Sequence, residues 1–164
     1  MSSLEPAFNN TSLSKPAPHE LPGAANIQEI KALLERGADI NGKDSGGFTA
    51  LVRAAMAGSA EIVQLLLDRG AALEEETPFG NTALILAAQC GHYEAARLLI
   101  EKGASLEVKN KAGYTAQEQA ERYRHPEVVQ LIKRVVESRK HQNIYQLLKA
   151  RAPKFTIKAG PGRS

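Results

Sequence analysis

Residues 80–106 read GNTALILAAQCGHYEAARLLIEKGASL, and a shift of 33 residues in either direction lays this stretch on its own copies. Thr82 then falls on Thr49 and Thr115, while Gly103 falls on Gly70 and Gly70 on Gly37. Self-similarity at a fixed period decides the architecture before any local reading, because each copy is one supersecondary unit. Within the copy, Thr82 is placed to cap a helix whose inner face is Leu84, Ala87 and Ala88, and Gly91 breaks that helix. A second amphipathic segment follows, with Ala95, Leu98 and Leu99 at i, i+3 and i+4, and Gly103 closes it in the left-handed conformation. Two short antiparallel helices result, and neither buries its apolar face without a neighbouring copy.

The period, together with Gly80, Thr82-Ala83-Leu84, Ala87-Ala88, Gly91-His92, Leu98-Leu99 and Gly103-Ala104, resembles the ankyrin repeat. The resemblance implies an all-α repeat, an ankyrin-repeat solenoid of stacked helix pairs with β-hairpin fingers on one edge and a concave face that binds other proteins. Two departures stand out. Val52 and Ile85 sit where the family has His, so the usual threonine-to-histidine contact is missing. Arg53 stands where Leu is usual and must reach solvent or a carboxylate, because a buried unpaired charge is costly.

The register divides the chain. Residues 1–17, rich in Ser, Asn and Pro, read as disordered. Residues 18–137 form the repeat domain, with a degenerate N-terminal cap over 18–45 and repeats at 46–78, 79–111 and 112–137. In the cap, IQEIKALLERGADIN aligns with a second helix, with Ile30, Leu33 and Leu34 as its inner face, whereas Pro22 interrupts the first. In the last copy Gln117, Gln119, Glu121 and Arg124 replace Leu, Leu, Ala and Gly, as a terminal unit facing water requires. Val136 occupies the place of the closing glycine, so the helix from Glu127 has no stop signal there. Residues 138–152, with Ile144, Leu147 and Leu148 at helical spacing, are expected to fold back as a C-terminal capping helix, and 153–164 read as a flexible basic tail.

Composition agrees with stacked Ala/Leu helices: 43% hydrophobic residues, 5% aromatic and no Trp. Cys90 alone excludes an internal disulfide framework and favours a reducing compartment. Without an apolar run of about 20 residues or a basic-then-apolar N-terminus, the reading is an intracellular monomer, cytoplasmic or alternatively nuclear, with no transmembrane segment. Charge is divided. Residues 1–121 carry ten Lys/Arg against sixteen Asp/Glu, a balance of −6, and residues 122–164 carry eleven against two, a balance of +9.

No nucleophile, metalloprotease or phosphate-loop motif is present, and the glycines follow the repeat. Cys90 and His92 lack the three or four convergent ligands of a zinc site, and His92 and His125 are equivalent repeat positions. Neither catalysis, cofactor nor metal is expected. Glu74-Glu75-Glu76 lies between fingers bearing Lys43 and Lys109-Asn110-Lys111, which reads either as solvated or mutually paired turns or as a charge band that selects a partner. Phe48, Phe79 and Tyr114 stand near the fingertips, either stacking on the adjacent hairpin or serving as binding anchors. Transferred from the family's pattern, the partner-binding positions are Phe48, Arg53, Met56, Phe79, Asn81, Gln89, Cys90, Lys111, Tyr114, Arg122 and Tyr123, joined by Ser45, Ala57 and Pro78. The expected function is a non-catalytic protein–protein interaction module, an adaptor, inhibitor or targeting subunit. The alternative is recruitment to a polyanion, RNA, DNA or an acidic membrane face, through Lys133, Arg134, Arg139, Lys140, Lys149, Arg151, Lys154, Lys158 and Arg163.

Overall fold

Each threonine of the 33-residue period starts a helix in the computed structural model, which describes residues 27–151. The elements are α1 (Ile27–Glu35), α2 (Ala50–Ala57), α3 (Ala60–Asp68), α4 (Ala83–Gln89), α5 (Tyr93–Glu101), α6 (Ala116–Arg122) and α7 (Pro126–Arg151). The hydroxyl oxygens of Thr49, Thr82 and Thr115 accept from the N–H of Val52, Ile85 and Glu118 at 3.3, 3.4 and 3.3 Å. Each satisfies an N–H that the first turn leaves without a partner. At the third helix the cap is reciprocal, because Glu118 Oε2 accepts the Thr115 N–H at 2.7 Å. The side chains of Val52 and Ile85, which replace the family's His, are buried in the core.

The first helices α2, α4 and α6 pack on one another in one row, and α3, α5 and α7 form a second row behind them. Between the rows lie Leu51, Leu66, Leu84, Ile85, Leu99 and Ile132, all buried to within 2% of full exclusion. α1 occupies the register of a second helix and buries Ile30 in the same core.

Repeats are locked to each other at the step between their helices. His92 approaches the carbonyl of Met56 at 3.1 Å and His125 that of Gln89 at 3.0 Å, contacts made by an Nε2–H donor. Each imidazole therefore satisfies a carbonyl at the end of the preceding first helix. The same rings lie flat against Gly58 and Gly91, whose φ values are 72° and 75°. A Cβ at either glycine would come within 3.0 Å of three ring atoms. Both the backbone conformation and the close approach demand glycine. Arg124, the next position in register, keeps the left-handed conformation at φ 61° without being glycine.

Three expectations need correction. The fingers are tight turns, and among the described residues the only β pairing is an isolated antiparallel bridge between Lys43 and Thr49. The chain enters α2 directly after Thr49, which leaves no length for a second rung. The C-terminal helix is present but is one piece with the second helix of the last repeat. α7 runs unbroken for 26 residues, and every residue from Glu137 to Ala150 is exposed, so no described part of it folds back over the stack. No Gly or Pro stands between Val136 and Arg151 to make the required turn. Gln119 does not face water either: it is 6% exposed, and its Oε1 is buried without a hydrogen-bond partner among the described residues. It occupies the register of buried Leu86, a position that faces inward even in a terminal copy. Glu121 and Arg124 are exposed as expected. Residues 1–17, the first helix of the N-terminal cap and the tail over 153–164 lie outside the described residues.

Replacing Leu84 or Leu99 by Ala is expected to destabilise the fold by about 2–5 kcal/mol in denaturant melts. Two glycine variants test the imidazole step. Gly103→Ala, where a Cβ meets open space, should lose only the left-handed preference of about 1–2 kcal/mol. Gly91→Ala must also displace His125 and should lower the melting temperature further; equal losses would show that the ring does not bear on the glycine.

Candidate protein-interaction surface

Asp44, Thr77 and Asn110, one per repeat, head the three finger turns. Their N–H groups donate to the carbonyls of Phe48, Asn81 and Tyr114 at 2.9, 3.0 and 3.0 Å. Their side chains accept from the same turns: Asp44 Oδ1 from Gly46 and Phe48, Thr77 Oγ1 from Asn81, and Asn110 Oδ1 from Ala112 and Tyr114. Short oxygen-bearing side chains make such local bonds readily, which is why the period keeps Asp, Thr or Asn here.

Neighbouring fingers are tied together. Asn110 Nδ2 donates to Asn81 Oδ1 at 2.9 Å, and the Lys111 N–H donates to the Phe79 carbonyl at 3.0 Å. Lys43 Nζ reaches the Glu76 carbonyl at 3.1 Å and the Glu75 carboxylate at 3.0 Å. Glu74 accepts the Ser105 N–H at 2.8 Å. The acidic triplet thus has partners within the row, two of its members through side chains and the third through its carbonyl.

The transferred positions fall into two groups. Several are occupied by internal contacts. The Arg53 guanidinium holds Asp44 Oδ2, with Nε at 2.8 Å, and stacks over the Phe48 ring with its carbon 4.3 Å from the centroid. Arg53 therefore has a structural partner on each side, which explains its presence in a leucine position. Arg122 donates to the Tyr114 hydroxyl at 3.0 Å and lies 5.2 Å from that ring's centroid. Phe48 and Tyr114 are half-buried beneath these arginines, and Asn81 is held by Asn110. Met56 and Gln89 are half-buried, and their carbonyls meet the histidines. The rest stand free of such packing: Phe79 at the middle fingertip is 66% exposed, Tyr123 at the end of α6 is 49% exposed, and Cys90 and Lys111 are exposed. The register carries a signal for this sorting, since Phe79 stands in the place of Gly46 and Ala112 and not in that of Phe48 and Tyr114, whereas the arginines over the latter two rings come to light only in the structure.

Two family models match the chain, one described as ankyrin repeats (many copies) over residues 33–87 and one as ankyrin repeats (3 copies) over residues 70–146. The chain belongs to the ankyrin repeat family. No curated protein matches it. Ankyrin repeats are generally protein–protein interaction modules and typically non-catalytic. Partial burial raises the Cys90 thiol, the opposite of an activated nucleophile. No helix among the described residues is long and apolar enough to cross a membrane.

Electrostatics at the first finger of this ankyrin repeat protein yield a pH test. Burial pulls the Asp44 carboxyl upward, but the Phe48 N–H, the Arg53 guanidinium and the Gly46 N–H together outweigh it and hold the group below its ordinary value. A depressed carboxylate adds stability that is complete above the unfolded value near 4 and is lost as pH falls through the lower folded value. Asp44→Asn should therefore cost about 1–2 kcal/mol at neutral pH, and the gap from the parent protein should close on acidification below about pH 4. Chemical melts across that range read the effect directly.

Proposed function

We propose that this chain is a non-catalytic module that binds a partner protein through the fingertip row and the exposed ends of its first helices. The observation that carries the reading is Phe79. A ring two-thirds exposed at the tip of a turn buries little for the fold, yet it stands on a finger tied by hydrogen bonds to the fingers before and after it. A large aromatic presented on a rigid base is the usual anchor of a protein interface, because little ordering entropy remains to be lost on binding. Lys111 lies beside this ring through its N–H bond to the Phe79 carbonyl, Cys90 and Tyr123 stand exposed at the far ends of α4 and α6, and Arg53 and Arg122 brace the aromatics of the flanking fingers.

The test uses the partner recovered by cross-linking and affinity purification, with affinity then measured by calorimetry. Phe79→Ala is expected to weaken binding by about thirtyfold, roughly 2 kcal/mol, with an unchanged melting curve. Arg53→Ala should instead lower the melting temperature. Unaltered affinity in Phe79→Ala would place the contact elsewhere.

A further inference from the structure

Each finger, with the loop that leads into it, presents an outer edge to the next unit, and two of the three edges are covered by main chain. At the first, the Ala72 N–H donates to Asn41 Oδ1 at 2.8 Å, while Lys43 Nζ holds the Glu75 carboxylate at 3.0 Å and the Glu76 carbonyl at 3.1 Å. At the second, the Ser105 N–H donates to Glu74 Oε1 at 2.8 Å and the Lys111 N–H to the Phe79 carbonyl at 3.0 Å. The covering stretches, 72–78 and 105–111, follow directly on α3 and α5. The third edge has no such cover among the described residues, because α7 runs on as helix and carries off Ser138 and Ile144, the residues in register with Ser105 and Lys111. Glu107 and the Ala112 carbonyl stand in the places of Glu74 and the Phe79 carbonyl, each of which takes an N–H. A Cβ on Gly47 or Gly80 would meet Pro78 or Lys111 within 3.0 Å, whereas one on Gly113, the same position of the third finger, meets nothing within 4 Å. Beside this edge lies a cleft of about 650 Å³, lined by Leu106, Glu107 and Lys109 on one wall and by Ile132, Val136 and Arg139 of α7 on the other.

The occupant is defined by what covers the other two edges. It must bring main-chain N–H donors spaced as those of Ser105 and Lys111 are, because a carboxylate and a carbonyl await it. Phosphates of a lipid or a nucleic acid would set acceptors against acceptors. A folded second copy cannot supply the segment, since each of its own stretches of this kind follows directly on a second helix, which would have to lie where α7 already is. The residues after Arg151 include Lys154, Lys158 and Arg163 and no Asp or Glu. They would bring like charge to Lys109 and Arg139, which line the cleft without an ion pair among the described residues. Glu118, the other carboxylate of the cleft, is already held by the Thr115 N–H and hydroxyl. Lys109 is in register with Lys43, and at Lys43 the molecule shows what that position takes: a glutamate carboxylate and a carbonyl of an extended stretch.

We propose that the outer edge of the third finger, with Glu107 and the Ala112 carbonyl as acceptors and Lys109 and Arg139 as cations, receives an extended acidic segment of a partner protein. The segment adds to the row as the next unit's main chain does at the other two edges, with main-chain bonds holding it and charge selecting it. This rests on the reading of the chain as a protein-binding module but uses a surface that does not include the Phe79 ring.

The probe is a fluorescently labelled synthetic peptide with the sequence of residues 71–79 bearing Pro78→Ala, which is the acidic stretch of the first edge with an N–H restored in the register of Lys111. Anisotropy with the full chain should show saturable binding. The peptide that keeps Pro78 has no N–H there and should bind at least about threefold more weakly. Lys109→Glu, an exposed substitution that should leave the melting curve in place, should weaken the Pro78→Ala peptide by about threefold or more, and adding Glu75→Lys to the peptide should recover that loss. Phe79→Ala should bind the peptide as the parent protein does, so this edge and the fingertip surface fail independently. Absence of saturable binding, equal binding of the proline and alanine peptides, no recovery by the lysine peptide, or loss of binding in Phe79→Ala would each overturn the proposal. Self-association of the full chain that the peptide reverses would assign the edge to an end segment of a second copy and overturn it as well.

Discussion

An imidazole resting on a glycine of the preceding repeat is the contact on which the stack depends. Each helix pair is too small to bury its apolar faces, so stability comes from the contact between neighbours. His92 over Gly58 and His125 over Gly91 fix how closely two neighbours approach and in which register. Once that distance is set, Leu84 and Ile85 meet the side chains of the flanking helices, and the fingers come near enough for Asn110 to reach Asn81. The contact joins two needs at one residue. The chain must turn through a positive φ, and the helix before it must find a donor for its last carbonyls.

The fold was legible because these needs recur at a fixed spacing. Thr49, Thr82 and Thr115 announce helix starts, Gly58 and the Gly91-His92 step announce the turns between helices, and the absent glycine at Val136 announces that the last helix runs on. What remained hidden depends on where a side chain points once neighbours are in place. Arg53 reads as an unexplained charge until Asp44, nine residues earlier, is seen to head the adjacent turn. Gln119 reads as a water-facing substitution until its register with Leu86 proves to be an inward position. Ile144, Leu147 and Leu148 do form an amphipathic stretch, but a one-dimensional pattern does not say which way it faces relative to the rest of the same helix.

The candidate surface shows the same division. Phe48, Phe79 and Tyr114 look alike in sequence, each an aromatic close to a turn. Two lie under arginines and strengthen their own repeats, where a guanidinium over a ring contributes about 0.5–1 kcal/mol at an exposed site. The third has no such cover among the described residues, and the glycine and alanine that share its register show that the turn itself needs no side chain there. Differences between copies, more than their common features, separate residues that serve the fold from residues available for other purposes.

Arg124 gives the array a defined end. A solenoid built from interchangeable units has no intrinsic length, and an exposed terminal face invites another unit, whether from the same gene by duplication or from another molecule by head-to-tail polymerisation. In this chain the position that would receive the next imidazole holds a Cβ and a charged side chain in the left-handed conformation. An incoming histidine would meet that Cβ where the inner copies offer a bare glycine. Lengthening the array by another imidazole step at this position therefore calls for glycine in place of Arg124.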